Sequence, residues 1–482
     1  MDIFSYFQKK GIDTVDRSFY RMIALWESWY KGKVRNFTYY RVYSGQGTYS
    51  RKQRKSLGMA KKLSEDIADL LLNERVQITL SDEATGEFVE EILSQNRFMV
   101  LGNDYQERKA YSGTVAYIPY LYDAEADEEG RILPGSGKIG INYVSAKDIY
   151  PISWSNGKII ECAFTFSKTV NRKKYVQVQI HQLEQTEQGM QYVQYVIENS
   201  VLECQSSSRE GKELTEEEWK QLKPFKFLSS RIETGSSAPQ FTIDRLNIVN
   251  NADEDESNPM GIAIYANSID ILKKLDIEYD SYNNEFDLGR KRIFVAPEMI
   301  KNIDGNPAFD PEDTVFYQMP DNYDKEKEGL IKEINMDLRA EQHSKAINDD
   351  LNYLSLKCGF GTERYKFDSS GVKTATEVIS ENSDMYRMIK KHEIILEDVL
   401  KELVQIIIRL GIVLGNQLDP KTEITIDFDD SIIEDKQAER QSDRQDVSMG
   451  AMALWEYRAK YYGESDERAK TMVQQPEDTV IE

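Results

Sequence analysis

The chain has 482 residues, with 83 Asp and Glu against 61 Lys and Arg, for a formal net charge of −22. A chain this acidic repels polyanions as a whole, which excludes a protein that coats nucleic acid and leaves DNA or an anionic membrane only local basic patches to engage. With 40% hydrophobic and 11% aromatic residues it is a folding chain, long enough for two to four modules of roughly 100–200 residues each. Cys162, Cys204 and Cys358 form no disulfide framework and read as buried thiols in a reducing compartment. Residues 1–10 lack the basic and apolar regions of a signal peptide, and the most apolar stretch, Leu403 to Leu414, is interrupted by Gln405 and Arg409, so neither secretion nor membrane spanning is expected.

From Ser28 to Ser64 there is no acidic residue, while Lys31, Lys33, Arg35, Arg41, Arg51, Lys52, Arg54 and Lys55 fall among Trp29, Tyr30, Phe37, Tyr39, Tyr40, Tyr43 and Tyr49. Residues 1–110 hold 18 basic and 15 acidic residues, and the other 372 hold 43 and 68. Such an arm suits nucleic acid by charge and stacking. It suits an acidic neighbouring subunit better, because the bulk of this chain is acidic. Leu57, Ala60, Leu63, Ile67, Leu70 and Leu71 then recur at helical spacing, and a second helix is expected over Thr85 to Phe98. From Gly113 the pattern changes to short β-branched and aromatic runs, a strand-rich insert over 113–204.

A polar linker, Asn250 to Ser257, ends at Asn258-Pro259, where Asn258 is placed to cap a helix running about 45 Å through Ile262, Ile269, Leu275 and Phe286. Arg292 to Pro320 returns to strand and turn character, and Asp337 to Cys358 is helical again, so a small β-containing tip lies between two helices. The Gly-bounded loop Gly359 to Gly371 holds Arg364, Tyr365, Lys366 and Phe367. A helix of about 40 residues from Thr374 to Leu414 follows; its length argues for packing on other elements or other subunits. A strand, Glu423 to Phe428, a charged segment and helices around Met449 to Tyr462 and Ser465 to Val473, the last capped by Ser465, close the chain.

Enzymatic patterns are weak. Gly135, Gly137 and Gly140 match G-x-G-x-x-G, but strand-like INYVS follows in place of a helix, so a hairpin loop is expected. His181, His343 and His392 are scattered, with His343 and His392 expected on helix surfaces, and offer neither a metal cluster nor a triad base. Asp427, Asp429 and Asp430 could hold a divalent ion as nuclease carboxylates do, although acidic residues ending a strand more often form a solvated edge.

Four stretches are similar to the portal family of tailed bacteriophages, in the branch found in phages of Gram-positive hosts. They are W-x-x-W-Y-K-G-K at Trp26 to Lys33 with the following MAKKLSEDIADLLLNE, NPMGIAIYANSIDILKKLDIEYDSYNNEF from Asn258, KTATEVISENSDMYRMIKKHE from Lys373, and YRAKYYGESDERAKTMV from Tyr457. The resemblance implies an α+β subunit with a strand-rich wing insert, a small clip and a helical crown: wing 1–257, stem helices 258–290 and 337–358, clip 291–336, tunnel loop 359–373, long wing helix and strand 374–436, and crown 437–482. It implies a virion protein, assembled in the host cytoplasm, that forms a ring, usually of twelve subunits, at one capsid vertex. Double-stranded DNA would be packaged and ejected through that ring, with terminase and a head-to-tail connector docking at the clip and major capsid and scaffolding proteins around it. No enzyme activity, cofactor or membrane is implied. DNA-facing residues would then be Arg364, Tyr365, Lys366, Phe367 and Lys373. The alternatives are a nuclease using the Asp427 to Asp430 carboxylates and a capsid or scaffolding protein that forms no ring.

Overall fold

The computed structural model describes residues 3–43, 47–73, 76–125, 132–186, 192–204, 211–295, 316–318, 331–334, 336–362, 364–367, 375–428, 436–462 and 466–474. Helix α1 (Ile3–Lys10) leads into α2 (Arg17–Tyr30), where extended Asp16 accepts the Ser18 N–H at 2.7 Å and so satisfies a donor that the first turn leaves unpaired. Phe19, Ile23 and Trp26 line the buried stripe of α2. A two-stranded ribbon of β1 (Tyr39–Tyr43) and β2 (Tyr49–Gln53) precedes α3 (Met59–Leu71), β3 (Gln77–Leu80) and α4 (Glu83–Gln95).

The helix expected over Thr85 to Phe98 is α4, which ends at Gln95, and a further helix that the sequence did not announce follows it. The chain breaks at Arg97, whose φ is 52°, and α5 (Phe98–Ser112) continues to Gly113. Its buried face carries Gly102, Gln106, Lys109 and Ser112, so no apolar stripe advertises it. Lys109 and Asp244 are wholly buried together, and Gln106 donates from Nε2 to Asp244 at 2.7 Å and to the Tyr117 hydroxyl at 2.9 Å.

The strand-rich insert is two antiparallel sheets. One takes the order β12-β4-β5, from β4 (Thr114–Tyr122), β5 (Lys138–Ser145) and β12 (Thr242–Arg245). The larger is a meander of β6 (Ile149–Ser155), β7 (Lys158–Val170), β8 (Lys173–Thr186) and β9 (Tyr192–Cys204), extended by β10 (Lys212–Glu213) and β11 (Arg231–Glu233), with α6 (Glu216–Lys220) between them in the chain. Asn156 and Gly157, both at positive φ, make the two-residue turn between β6 and β7 whose twist matches the flanking strands. Gly135 and Gly137 lie in the loop before β5, as the hairpin reading required.

Asn258 does not cap a helix. Its Oδ1 accepts the Met260 N–H at 2.9 Å, a 3₁₀ turn spans Ala266–Ser268, and α7 (Ile269–Leu288) begins eleven residues later than expected, shortening the rod to about 30 Å. The reason lies in the neighbouring backbone. Gly261 donates to Thr114 Oγ1 and Ile264 to the Ala110 carbonyl, and a Cβ on Gly113 would lie 2.2 Å from the Gly261 carbonyl oxygen, so this stretch is committed to the α5–β4 junction. Strands β13 (Arg292–Val295), β14 (Phe316–Gln318) and β15 (Ile331–Ile334) form a small sheet, parallel between β13 and β14 and antiparallel between β13 and β15. Helix α8 (Ala340–Lys357) returns antiparallel to α7: Lys274 meets Asp350 at 2.8 Å and, fifteen to twenty Å along, Glu285 meets Arg339 at 2.8 Å.

Helix α9 (Ala375–Val413) has 39 residues, roughly 58 Å of rod. Leu396, Val399, Leu400, Leu403, Val404 and Ile406 to Ile408 are buried in one core shared with α2 to α5, the β12-β4-β5 sheet, α7 and α8. From Leu396 to Leu410 its apolar stripe is therefore covered by its own chain, while Ile394 stays exposed. Strand β16 (Ile424–Asp427) then pairs antiparallel with β3. What reads as a charged segment is helix α10 (Lys436–Met449), followed by α11 (Leu454–Tyr462) and α12 (Asp466–Gln474). The Tyr457 hydroxyl accepts from Arg440 Nε at 3.0 Å and Arg444 Nε at 2.9 Å, which holds α11 on α10. The expected cap Ser465 lies outside the described residues.

His392 is not a surface residue. It is buried, and its Nδ1 accepts the Asn247 N–H at 3.0 Å; burial, with nearby Lys109, pushes its pKa down to about 3. His181 is wholly buried between the Phe164 and Phe241 rings, at about 3 for the same reason of burial.

Candidate functional site

Helix α8 ends in a tight reversal. Gly359 has φ +85°, and a Cβ there would come within 2.7 Å of the Met388 side chain on α9, so both conformation and space demand glycine. The Phe360 N–H returns to the Ser355 carbonyl at 3.0 Å, and the Phe360 ring is buried against Tyr365 in an edge-to-face contact.

Tyr365 is buried and Phe367 half-buried against residues of their own chain. Tyr365 is 8% exposed, and its hydroxyl donates to Asp66 Oδ2 on α3 at 2.6 Å, while Lys62 holds the other oxygen at 2.7 Å. Burial, reinforced by the Asp66 carboxylate, raises the Tyr365 hydroxyl pKa well above its ordinary value. The Phe367 N–H donates to Asn348 Oδ1 at 2.7 Å, and its ring meets Tyr279 and Tyr282 edge-on. Aromatic rings in this loop are drawn inward because their area is worth more buried than wetted. Arg364 and Lys366, on either side of Tyr365, stay exposed. Lys373 lies outside the described residues.

The pair of helices beneath the loop is laced by charge. Arg339 forks onto Glu285, Nε to Oε1 at 3.0 Å and Nη2 to Oε2 at 2.8 Å, and holds that carboxyl down to about 2. Lys274 reaches both Asp350 and Glu278, and burial together with Asp350 raises the Glu278 carboxyl above its usual range.

The basic arm docks in part on its own subunit. Tyr40 donates its hydroxyl to Asp280 Oδ2 at 3.0 Å, the Lys55 N–H donates to Asp280 Oδ1 at 3.0 Å, and Arg54 lies 3.8 Å from the same carboxylate. Ser56 Oγ and the Leu57 N–H converge on Asp276 Oδ1, whose carboxyl is raised by burial. Lys31 pairs with Glu27 at 2.6 Å. Lys33, Arg51 and Lys52 remain exposed, and Arg35 is likewise at the surface. The arm's base is thus satisfied within the chain, while its outer half, where Arg51 lies 3.9 Å over the Tyr39 ring, stays at the surface. Sequence reasoning missed Asp276 and Asp280; their signal is two carboxylates one turn apart beside the stripe Leu272, Leu275 and Tyr279.

Asp427 ends β16 on its exposed side, and Asp429 and Asp430 lie outside the described residues. Among the described residues no group of His, Cys, Asp or Glu is arranged to hold a metal ion.

A comparison with curated proteins finds no match. The family described as phage portal protein, SPP1 Gp6-like, matches residues 10–479, from the end of α1 past α12, and the chain belongs to that family.

Proposed function

We propose that this portal protein forms a closed ring, of twelve copies in the family's usual form, through which double-stranded DNA enters and leaves the capsid. The portal family is structural and serves DNA packaging at the virion's capsid vertex. No helix among the described residues is long and apolar enough to cross a membrane. The observation that carries the reading is the loop at the end of α8, on the antiparallel pair α7 and α8, clamped by Tyr365 on Asp66 and by Phe367 on Tyr282, with Arg364 and Lys366, on either side of Tyr365, exposed.

Two exposed cations per subunit, repeated around a ring in an otherwise acidic protein, make weak and sequence-independent phosphate contacts that let a duplex slide. The segment 291–336, which joins the two helices and holds the β13 to β15 sheet, is the docking tip for the terminase motor and later for the head-to-tail connector. Major capsid and scaffolding proteins contact the outside, and residues 437–482 form the crown. Native mass measurement and electron micrographs of the purified protein test the ring: closed assemblies with a central hole are expected, and monomer alone at micromolar concentration with intact helicity would overturn it.

A further inference from the structure

Beneath the basic ribbon β1–β2 lies an open cleft of about 610 Å³, walled by Trp29, Phe37, Arg54, Lys55, Asp276 and Tyr279. Three observations show that it is unfinished. The indole N–H of Trp29 is buried with no acceptor among the described residues. A buried donor left unmet is costly, so an acceptor supplied from outside would be favoured there. Among the described residues the ribbon above has no third strand, and Tyr39, Tyr43 and Tyr49 are exposed, Tyr49 to 69%. A lone two-stranded ribbon is marginal in water unless something covers it. Finally, Asp276 and Asp280 already have partners in Ser56, Leu57, Lys55 and Tyr40, so the exposed cations Arg51 and Lys52 face outward while the carboxylates beneath are taken.

We propose that a second copy of this chain seats a carboxylate-bearing segment in this cleft. The Trp29 N–H and the exposed Lys55 side chain would meet the carboxylate, and Arg51, Lys52 and the ribbon tyrosines would close over it. Charge complementarity chooses the occupant: residues 1–110 hold an excess of basic residues and the remaining 372 hold 43 basic against 68 acidic. A copy of the chain therefore presents the negative surface that this site lacks. The inference rests on the ring reading and adds to it the surface by which one subunit grips the next.

The test mixes subunits made with ordinary and with heavy nitrogen, assembles them, and couples lysines to carboxyls with a zero-length carbodiimide before mass spectrometry. Mixed-isotope peptides joining Lys52 or Lys55 to an Asp or Glu of another copy are expected. Charge reversal at Arg51→Glu with Lys52→Glu is expected to shift the native mass distribution from ring to monomer, with helicity unchanged, and Trp29→Phe to weaken assembly severalfold. Closed rings that yield only same-copy cross-links and withstand the charge reversal would overturn the cleft while leaving the ring intact. Absence of rings in the unmodified protein would instead overturn the reading beneath it. Loss of duplex DNA binding with assembly unchanged would reassign the ribbon to nucleic acid and also overturn the proposal.

Discussion

Lys109 Nζ lies 2.9 Å from Asp244 Oδ1 and 3.0 Å from Oδ2, and neither side chain has any exposed surface. The pair joins α5 to the edge strand β12, and burial pulls the ammonium pKa below its ordinary value even with the carboxylate beside it. Replacing Lys109 with Met strands a buried carboxylate whose remaining donor is Gln106. The variant is expected to lose about 3–5 kcal/mol of unfolding free energy, and the double variant Lys109→Met with Asp244→Leu much less. Urea titrations of both variants check the ordering; equal losses would mean that packing, and not the orphaned charge, sets the cost.

The two buried histidines set a pH dependence. His181 and His392 are held near 3 in the folded protein against an ordinary value of 6.5. Below 6.5 the unfolded chain takes up a proton at each and the folded chain does not, so stability is full above about pH 6.5 and falls as pH drops toward 3. From pH 7 to pH 5 each is expected to account for about 2 kcal/mol of that loss. Chemical unfolding at the two pH values, in the protein and in His392→Gln, reads the difference: a slope unchanged in the variant would refute a neutral, buried His392.

Removing one oxygen tests the loop's anchor. Tyr365→Phe keeps the ring packed on Phe360 but deprives Asp66 of a donor, leaving it the ammonium of Lys62. A loss of about 1–2 kcal/mol is expected, with faster hydrogen exchange over residues 359–367 and none elsewhere. Exchange that accelerates across the whole subunit would show that the bond serves the core and not the loop.

On either side of Tyr365, Arg364→Ala with Lys366→Ala is expected to leave assembly intact and to shorten or release packaged DNA. Normal length and retention in that double variant would remove these cations from the channel.

Segment 291–336 should be separable from the rest. Gly289 packs so closely on Leu338 that a Cβ would lie 2.4 Å from its side chain, and Arg339 is clamped to Glu285, so the two helix ends are already adjacent. A short glycine linker in place of the segment is expected to give a folded protein that no longer binds the terminase or the connector, measured by co-sedimentation. Retained binding would move the docking surface elsewhere.

How much of this was legible depended on whether burial was apolar. Helices α3 and α9 announce themselves because their buried positions are Leu, Ile and Val at helical spacing. Helix α5 does not, since it buries Lys109, Gln106 and Ser112, whose partners lie in strands more than a hundred residues away or across a turn. Helix α10, KQAERQSDRQDVSM, has too few apolar residues to mark a face. The loop residues Arg364 to Phe367 were found by charge and glycine spacing, but which of them turn inward was not, because Asp66 and Tyr282 meet them only in the fold. The basic arm was visible from its composition; its docking on Asp276 and Asp280 was not, because nothing local brings residue 55 to residue 280.

The pairing of β3 with β16 ties residues 77–80 to 424–427, and α9 fills the core between them. During synthesis the N-terminal half therefore leaves the ribosome with its central apolar face open, and that face is sealed only when about nine-tenths of the chain has emerged. A subunit interrupted before α9 is complete leaves that apolar face uncovered, and one interrupted before residue 427 leaves the β3 edge without its partner strand.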